Sequence, residues 1–216
     1  MVHNLGLTPS LVTHFISEIR DTQIQQDRMR FRRNLERLGE VFAYEISKHL
    51  NYKDVEVTTP LGSATVPVLA EQPIVATILR AGLPLHQGII NHFDSADNGF
   101  ISAYRKHHKD GSFEIKLEYV SCPSLTNRIL ILCDPMLATG ASMVSTYRAM
   151  MELGAPRHTH IVSVLASTQG IEHVKAQLPM ERVTIWAAAI DEELTAQSYI
   201  VPGLGDAGDL AYGEKL

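Results

Sequence analysis

Cysteine is nearly absent from the chain. Cys122 and Cys133 are the only two, too few for a disulfide framework or a four-ligand cysteine zinc site. Positive charge is also short, with 19 Lys and Arg against 24 Asp and Glu and a net charge of −5 with neutral His. That balance argues against a binder of nucleic acid or of membrane surfaces. No apolar run approaches the roughly 20 residues that cross a bilayer. The segment from Met1 to Gly6 has neither a basic stretch nor an apolar one, so no secretory leader is expected. Internal repeats and low-complexity tracts are missing too. What remains is a chain of 216 residues, 45% apolar and 20% charged, long enough to bury a core and too apolar to be disordered. A cytoplasmic globular α/β protein is the expectation.

The first 50 residues read as helical. Leu11, Val12, Phe15, Ile16 and Ile19 recur at steps of three and four, and Phe31, Leu35, Leu38, Val41, Phe42 and Ile46 line one face of a second helix over about 27–50. Arg28, Arg30, Arg32, Arg33 and Arg37 on that helix read as a solvated face or a subunit contact of an amphipathic helix rather than a nucleic-acid patch. From Val55 to Leu69 the pattern alternates as a hairpin turning near Pro60-Leu61-Gly62. Then come short continuous apolar runs, Ile74 to Leu79, Ile129 to Cys133, Ile161 to Ala166 and Val183 to Ile190, separated by helical stretches over about 83–93, 142–153 and 170–177. Runs of this kind are strands covered on both faces, and their alternation with helices predicts a doubly wound, mostly parallel sheet flanked by helices.

Two parts interrupt that core. Phe100–Tyr104 and Phe113–Tyr119 flank a polar stretch and read as a hairpin arm with its tip at Asp110-Gly111. The adjacent His107 and His108 point to opposite faces of a strand and so do not pair as metal ligands. His158 and His160 share a face but have no carboxylate or Cys nearby in sequence. Tyr199 to Gly213 is rich in glycine and acids yet holds Ile200, Val201, Pro202 and Leu204, so it reads as an ordered loop. Its spacing does not match a calcium-binding EF-hand.

The strongest chemical signal runs from Ile129 to Ser142. A buried strand reaches Asp134 and enters the loop Pro135-Met136-Leu137-Ala138-Thr139-Gly140-Ala141-Ser142, which opens a helix. Small residues let backbone N–H groups approach a phosphate, and the helix N-terminus favours an anion. Thr139 and Ser142 add hydroxyls. Asp134 repels that phosphate, so a sugar diol or a metal-bound water is its natural partner. Neither a Walker A loop nor G-x-G-x-x-G is present. Alternatively, Thr139 or Ser142 caps a helix beside an incidental acid. Arg80 ends a second buried strand and Arg105 sits on the hairpin arm, each suited to anionic oxygens or to a surface ion pair.

In this order, these segments resemble uracil phosphoribosyltransferases. The loop from Asp134 to Ser142 is similar to that family's phosphoribosyl-diphosphate motif, and Tyr199-Ile200-Val201-Pro202-Gly203-Leu204-Gly205-Asp206-Ala207-Gly208-Asp209 is similar to its uracil-binding loop. Leu11-Val12-Thr13-His14, Ile19-Arg20-Asp21, Phe31-Arg32, Ile78-Leu79-Arg80-Ala81-Gly82, Tyr104-Arg105 and Ala188-Ala189-Ile190-Asp191-Glu192 match as well, so the resemblance covers about 9–213. It implies one phosphoribosyltransferase domain over 1–216, with N-terminal helices over 1–52, a hairpin arm over 100–120 and a base-binding loop over 199–213. The implied substrates are uracil and phosphoribosyl diphosphate (PRPP), and the implied cofactor is Mg2+, held mainly by PRPP and water.

The same resemblance implies roles for individual residues. Ala138 to Ser142 hold the 5′-phosphate, Asp134 the ribose hydroxyls, and Arg80 and Arg105 the leaving diphosphate. Tyr199, Ile200, Gly205, Asp206 and Ala207 take the uracil, and Asp206 also reaches PRPP. Asp206, Arg80 and Arg105 are the catalytic candidates. A homodimer or homotetramer, with GTP as a possible activator, goes with the family.

Three stretches depart from the family pattern: Ala141 in place of a second glycine, Leu210-Ala211-Tyr212-Gly213, and Val120-Ser121-Cys122-Pro123. A purine or orotate phosphoribosyltransferase carries two adjacent acids where Asp134 is followed here by Pro135. An RNA-binding regulator on the same fold calls for a basic face, and an inactive relative would lose the charged residues kept here.

Overall fold

The computed structural model describes residues 1–107 and 113–214, with the side chains of 103–107 and 113–118 outside that description. The expected hairpin tip at Asp110-Gly111 and the His107-His108 pair therefore fall outside the described side chains. In chain order the elements are β1 (Val2–Asn4), α1 (Leu11–Arg20), α2 (Arg28–Ser47), β2 (Tyr52–Thr59), β3 (Gly62–Leu69), β4 (Ile74–Leu79), α3 (Leu83–Ile90), β5 (Asp97–His107), β6 (Phe113–Ser121), β7 (Ile129–Cys133), β8 (Met136–Leu137), α4 (Ala141–Met150), β9 (His158–Ser167), α5 (Thr168–Gln177), β10 (Val183–Asp191), β11 (Glu193–Leu194), β12 (Ile200–Val201) and α6 (Ala207–Tyr212).

The central sheet has the order β1-β10-β9-β7-β4-β5-β6, with β8 beside β9. All its pairings are parallel except β5 with β6. The doubly wound expectation holds, and the apolar runs are explained by burial on both faces. Val75, Ile131, Cys133 and Val162 pack with α1, α2 and α3 on one side. Ala76, Leu130, Leu132 and Ile161 pack with α4 and α5 on the other. From β4 the chain first winds outward to β5, then returns to place β7 and β9 on β4's opposite flank. The winding direction thus reverses between β4 and β7, and ligands of such sheets bind at that point, outside the strands' carboxyl ends.

Several elements differ from expectation, the short strands β8 and β12 inside stretches read as loop among them. The first residues are not purely helical, because β1 adds a parallel edge strand in which His3 pairs with Trp186 of β10. The glycine-rich tail is not all loop either. Asp206 caps α6 by accepting from Gly208 N at 2.8 Å and Asp209 N at 3.0 Å, which supplies partners to otherwise orphaned helix donors.

The arginine-rich helix is mostly turned to intramolecular contacts. Arg30 donates to both carboxylate oxygens of Glu18, at 2.6 and 3.0 Å. Arg32 donates to Ala211 O at 2.7 Å, Arg33 pairs with Glu36, and Arg37 donates to Asn34. Hydrogen bonds from Arg30 and Asn34 hold the Glu18 carboxyl down at about 2.

At the amino-end half of the sheet, His3 stacks on Trp186 at 4.0 Å, His49 meets the Trp186 edge, and His158 lies 4.8 Å from His160. Trp186 Nε1 donates to His160 Nδ1 at 3.1 Å, so that nitrogen must be unprotonated. Burial, then the neighbouring histidines, lowers His160 from 6.5 to about 3. His3 and His158 are lowered too, again chiefly by burial. A histidine kept neutral by the fold stabilises it fully above 6.5 and loses that contribution as pH falls toward the folded value. His160 alone should therefore cost the fold about 2 kcal/mol between pH 7 and pH 5. Thermal unfolding at the two pH values checks this. His160→Gln, whose amide oxygen can still accept from Trp186, should flatten the decline, and an unchanged decline would contradict it.

Candidate active site

The carboxyl ends of β4 and β7 are tied together where the site begins. Thr77 Oγ1 donates to Cys133 O at 3.2 Å, fixing the strand ends from which Arg80 and Asp134 emerge. A Cβ at Gly82 would strike Thr77 Oγ1 and approach Ile78 O at 2.7 Å, so the β4–α3 turn needs glycine there. Burial pushes the Cys133 thiol up to about 12, which leaves it protonated and inert at neutral pH.

Beyond β7 the chain forms the small-residue loop. Pro135 O accepts from Val164 N and Leu165 N at 3.0 and 2.9 Å, and Ser163 Oγ donates to Asp134 O at 2.7 Å. Gly140 has a φ of +78° and offers no side chain to cap α4; Thr139 Oγ1 accepts from Ala141 N at 3.4 Å, and the other orphan N–H groups of the helix's first turn lie beside the loop. The methyl of Ala141 falls on the first residue of α4, clear of the left-handed position. Behind the loop, Ser167 Oγ donates to Ala138 O at 2.5 Å and accepts from Gly170 N at 2.8 Å. A Cβ on Gly170 would collide with the carbonyls of Ala138 and Leu137. α5 therefore holds the loop by direct backbone contact.

On the facing wall β11 and β12 pair antiparallel, and their turn is closed by Thr195 N donating to Tyr199 O at 2.8 Å. Gly205 has a φ of +95°, and a Cβ at that position would meet nothing within 4 Å. These walls enclose a cleft of about 530 Å³, a volume suited to a small-molecule substrate.

The cleft brings together Arg80, Asp134, Met136, Leu137, Ala138, Thr139, Gly140 and Ser142 with Tyr199, Ile200, Gly205, Asp206 and Ala207. Pro135 and Ala141 belong to the loop but are not among the residues lining the cleft. Arg105 lies on β5, its backbone paired with Ile115, and its side chain is outside the described set. Sequence reasoning missed Met143, Gln197 and Ser198, which also line the cleft. The φ of +67° at Ser198 is set by the turn and leaves no mark in a Ser. Arg80 Nη2 donates to Gly213 O at 3.1 Å and lies 3.9 Å from Asp209 Oδ1, while its Nε is buried without a hydrogen-bond partner among the described residues. One face of the guanidinium is thus braced by α6.

The donor set limits what metal chemistry the cleft can support. Among the described residues no group of three or more His, Cys, Asp or Glu could hold an ion, and none of the helices there is long and apolar enough to cross a membrane. The carboxylates of Asp134 and Asp206 on the cleft suit the water shell of a hard cation brought in by a substrate.

The family model described as uracil phosphoribosyltransferase matches residues 7–214. A uracil phosphoribosyltransferase of Porphyromonas gingivalis is 53% identical over 215 residues, covering 100% of this chain and 99% of the relative. One from Pyrococcus furiosus is 37% identical, covering 95% and 87%. Among solved structures, the AQ2163 protein from Aquifex aeolicus superposes with a TM-score of 0.86 at 30% identity, covering 99% of this chain and 98% of that one. A Staphylococcus aureus hypoxanthine phosphoribosyltransferase, at TM-score 0.51 and 12% identity over 74% of each chain, shares the fold.

Proposed function

Because the chain belongs to the uracil phosphoribosyltransferase family, we propose that its cleft transfers the 5-phosphoribosyl group of PRPP to N1 of uracil, giving UMP and diphosphate. The observation that carries this reading is the meeting of the Asp134–Ser142 loop, Arg80 and the Ile200 and Gly205–Ala207 backbone on one cleft at the switch point. The whole of 1–216 is then one phosphoribosyltransferase unit.

In that reading the N-terminus of α4 and the hydroxyls of Thr139 and Ser142 bind the 5′-phosphate. Asp134 accepts from the ribose hydroxyls. As the C1′–oxygen bond breaks, the N1 lone pair of uracil forms the new bond to C1′ and the electron pair leaves with diphosphate. Arg80 and Arg105 stabilise the charge that grows there, so catalysis is chiefly positioning and electrostatics. Backbone groups of Ile200, Gly205 and Ala207 read the uracil edge. A carbonyl facing N3–H would leave cytosine unpaired and so reject it. Two amides occupy Asp206 Oδ1, which leaves Oδ2 for substrate and makes it the candidate acceptor of the N1 proton.

Asp134 and Asp206 would face the waters of an Mg2+ ion brought in with PRPP, and that ion would supply further charge neutralisation. Homodimer or homotetramer assembly and a response to GTP belong to the same proposal. Both are read by sedimentation and by adding GTP to the assay.

The test is diphosphate release from PRPP and uracil with Mg2+ present, then with the ion removed by chelator. Release should require uracil and should stop on chelation. Release without uracil, or none at all, would overturn the reading.

A further inference from the structure

Two residues matched at the sequence level have no part in the chemistry so far: Arg20, the last residue of α1, and Asp191, the last of β10. They lie 171 positions apart and meet as a two-pronged ion pair, Nη1 to Oδ2 at 2.8 Å and Nη2 to Oδ1 at 2.7 Å. Such paired, charge-assisted bonds are strong and directional. Both partners also hold one glycine. Arg20 Nη1 donates to Gly203 O at 2.9 Å, and Gly203 N donates to Asp191 Oδ2 at 3.0 Å. Asp191 is 8% exposed, so the grip is shielded from water. Gly203 has a φ of +58°, and a Cβ there would strike Ile200 O.

The position of Gly203 gives this grip its meaning. Between Asp191 and Gly203 the chain runs out along β11 and back along β12, and the turn sends Gln197, Ser198 and Tyr199 to the cleft. Ile200 comes three residues before Gly203, while Gly205 and Ala207 come two and four after it. The clamp thus closes the foot of the β11–β12 hairpin at the point between the groups proposed to read the base. Neither Arg20 nor Asp191 lines the cleft. The phosphate loop has its own braces in Ser167 and Gly170.

We propose that Arg20 and Asp191 are positioning residues for the base, setting the spacing of Ile200 from Gly205 and Ala207 through Gly203; this rests on the reading of the cleft given above. Loosening the clamp moves base-reading groups without moving the phosphate loop, and small displacements of this kind carry large kinetic effects.

The experiment uses the full-length chain with Arg20→Lys, which keeps the charge but loses the fork, and Asp191→Asn, which keeps the shape but loses the charge. KM for uracil, KM for PRPP, the uracil-to-cytosine preference and thermal unfolding are measured for each. The uracil KM should rise on the order of 10- to 100-fold, with a weaker preference over cytosine and an unchanged PRPP KM. A folded variant with wild-type KM for uracil would overturn the proposal, as would equal rises for both substrates. Where Asp191→Asn fails to fold, Arg20→Lys decides. Wild-type protein that makes no UMP would instead sink the reading of the cleft, and the clamp's role with it.

Discussion

Gly205→Val should reduce uracil-dependent turnover to the order of 1% of wild type or less, while PRPP still binds. Gly205 sits at φ +95° with open space where a side chain would grow, on the wall of the cleft. The valine therefore meets no packed core. Its cost is the positive φ, about 1–3 kcal/mol for a residue held in a sparsely populated region. Two consequences follow for the base. The branched side chain fills space that the planar ring needs, and relief of the strain turns the Gly205 amide away from the uracil edge. The phosphate loop lies on β7 and α4 and is braced from α5, so PRPP affinity measured by calorimetry should persist. Loss of both ligands together would mean that the two loops do not act separately.

Arg80→Gln should lower kcat on the order of 100- to 1,000-fold, comparable to removing one donor from a charge-stabilising site. The guanidinium is already half committed, with Nη2 on Gly213 O and near Asp209 while Nε is buried without a described partner. The rest of the side chain is 40% exposed and lines the cleft, where its charge can meet an anionic diphosphate oxygen. Glutamine retains a donor but no charge. Its effect should fall mainly on kcat, because the leaving-group charge grows only in the transition state. A variant whose PRPP KM rises with kcat unchanged would place Arg80 in ground-state binding alone.

Most of the sheet is legible in the amino-acid sequence, because β4, β7, β9 and β10 are buried on both faces and so read as unbroken apolar runs. β1 is not legible: Val2-His3-Asn4 is three residues long and shows no period, and it is a strand only because the edge of β10 accepts it. α6 hides for a related reason, since Ala207-Gly208-Asp209 looks like loop until Asp206 is seen capping it.

The chemistry of the site is local and so shows early. Asp134 and Arg80 each end an apolar run, and the small-residue loop follows directly in the chain. What holds those parts is distributed and does not show. Ser167 and Gly170 reach Ala138 from about 30 positions away, and Arg20 meets Asp191 across 171. Each looks like an ordinary residue until the fold joins them. The same distance effect hides the partners of two arginines on α2, since Arg30 meets Glu18 across 12 positions and Arg32 the Ala211 carbonyl across 179, whereas Arg33 and Arg37 pair with Glu36 and Asn34 three residues along their own helix.

The most direct single measurement is product formation by the purified chain with PRPP and Mg2+, run separately with uracil, cytosine, orotate and hypoxanthine and read as nucleotide and diphosphate together. UMP from uracil, in equal amount to diphosphate and with no nucleotide from the other three bases, is the expected result. Nucleotide from orotate or hypoxanthine, or none from uracil, would contradict the assignment of the cleft.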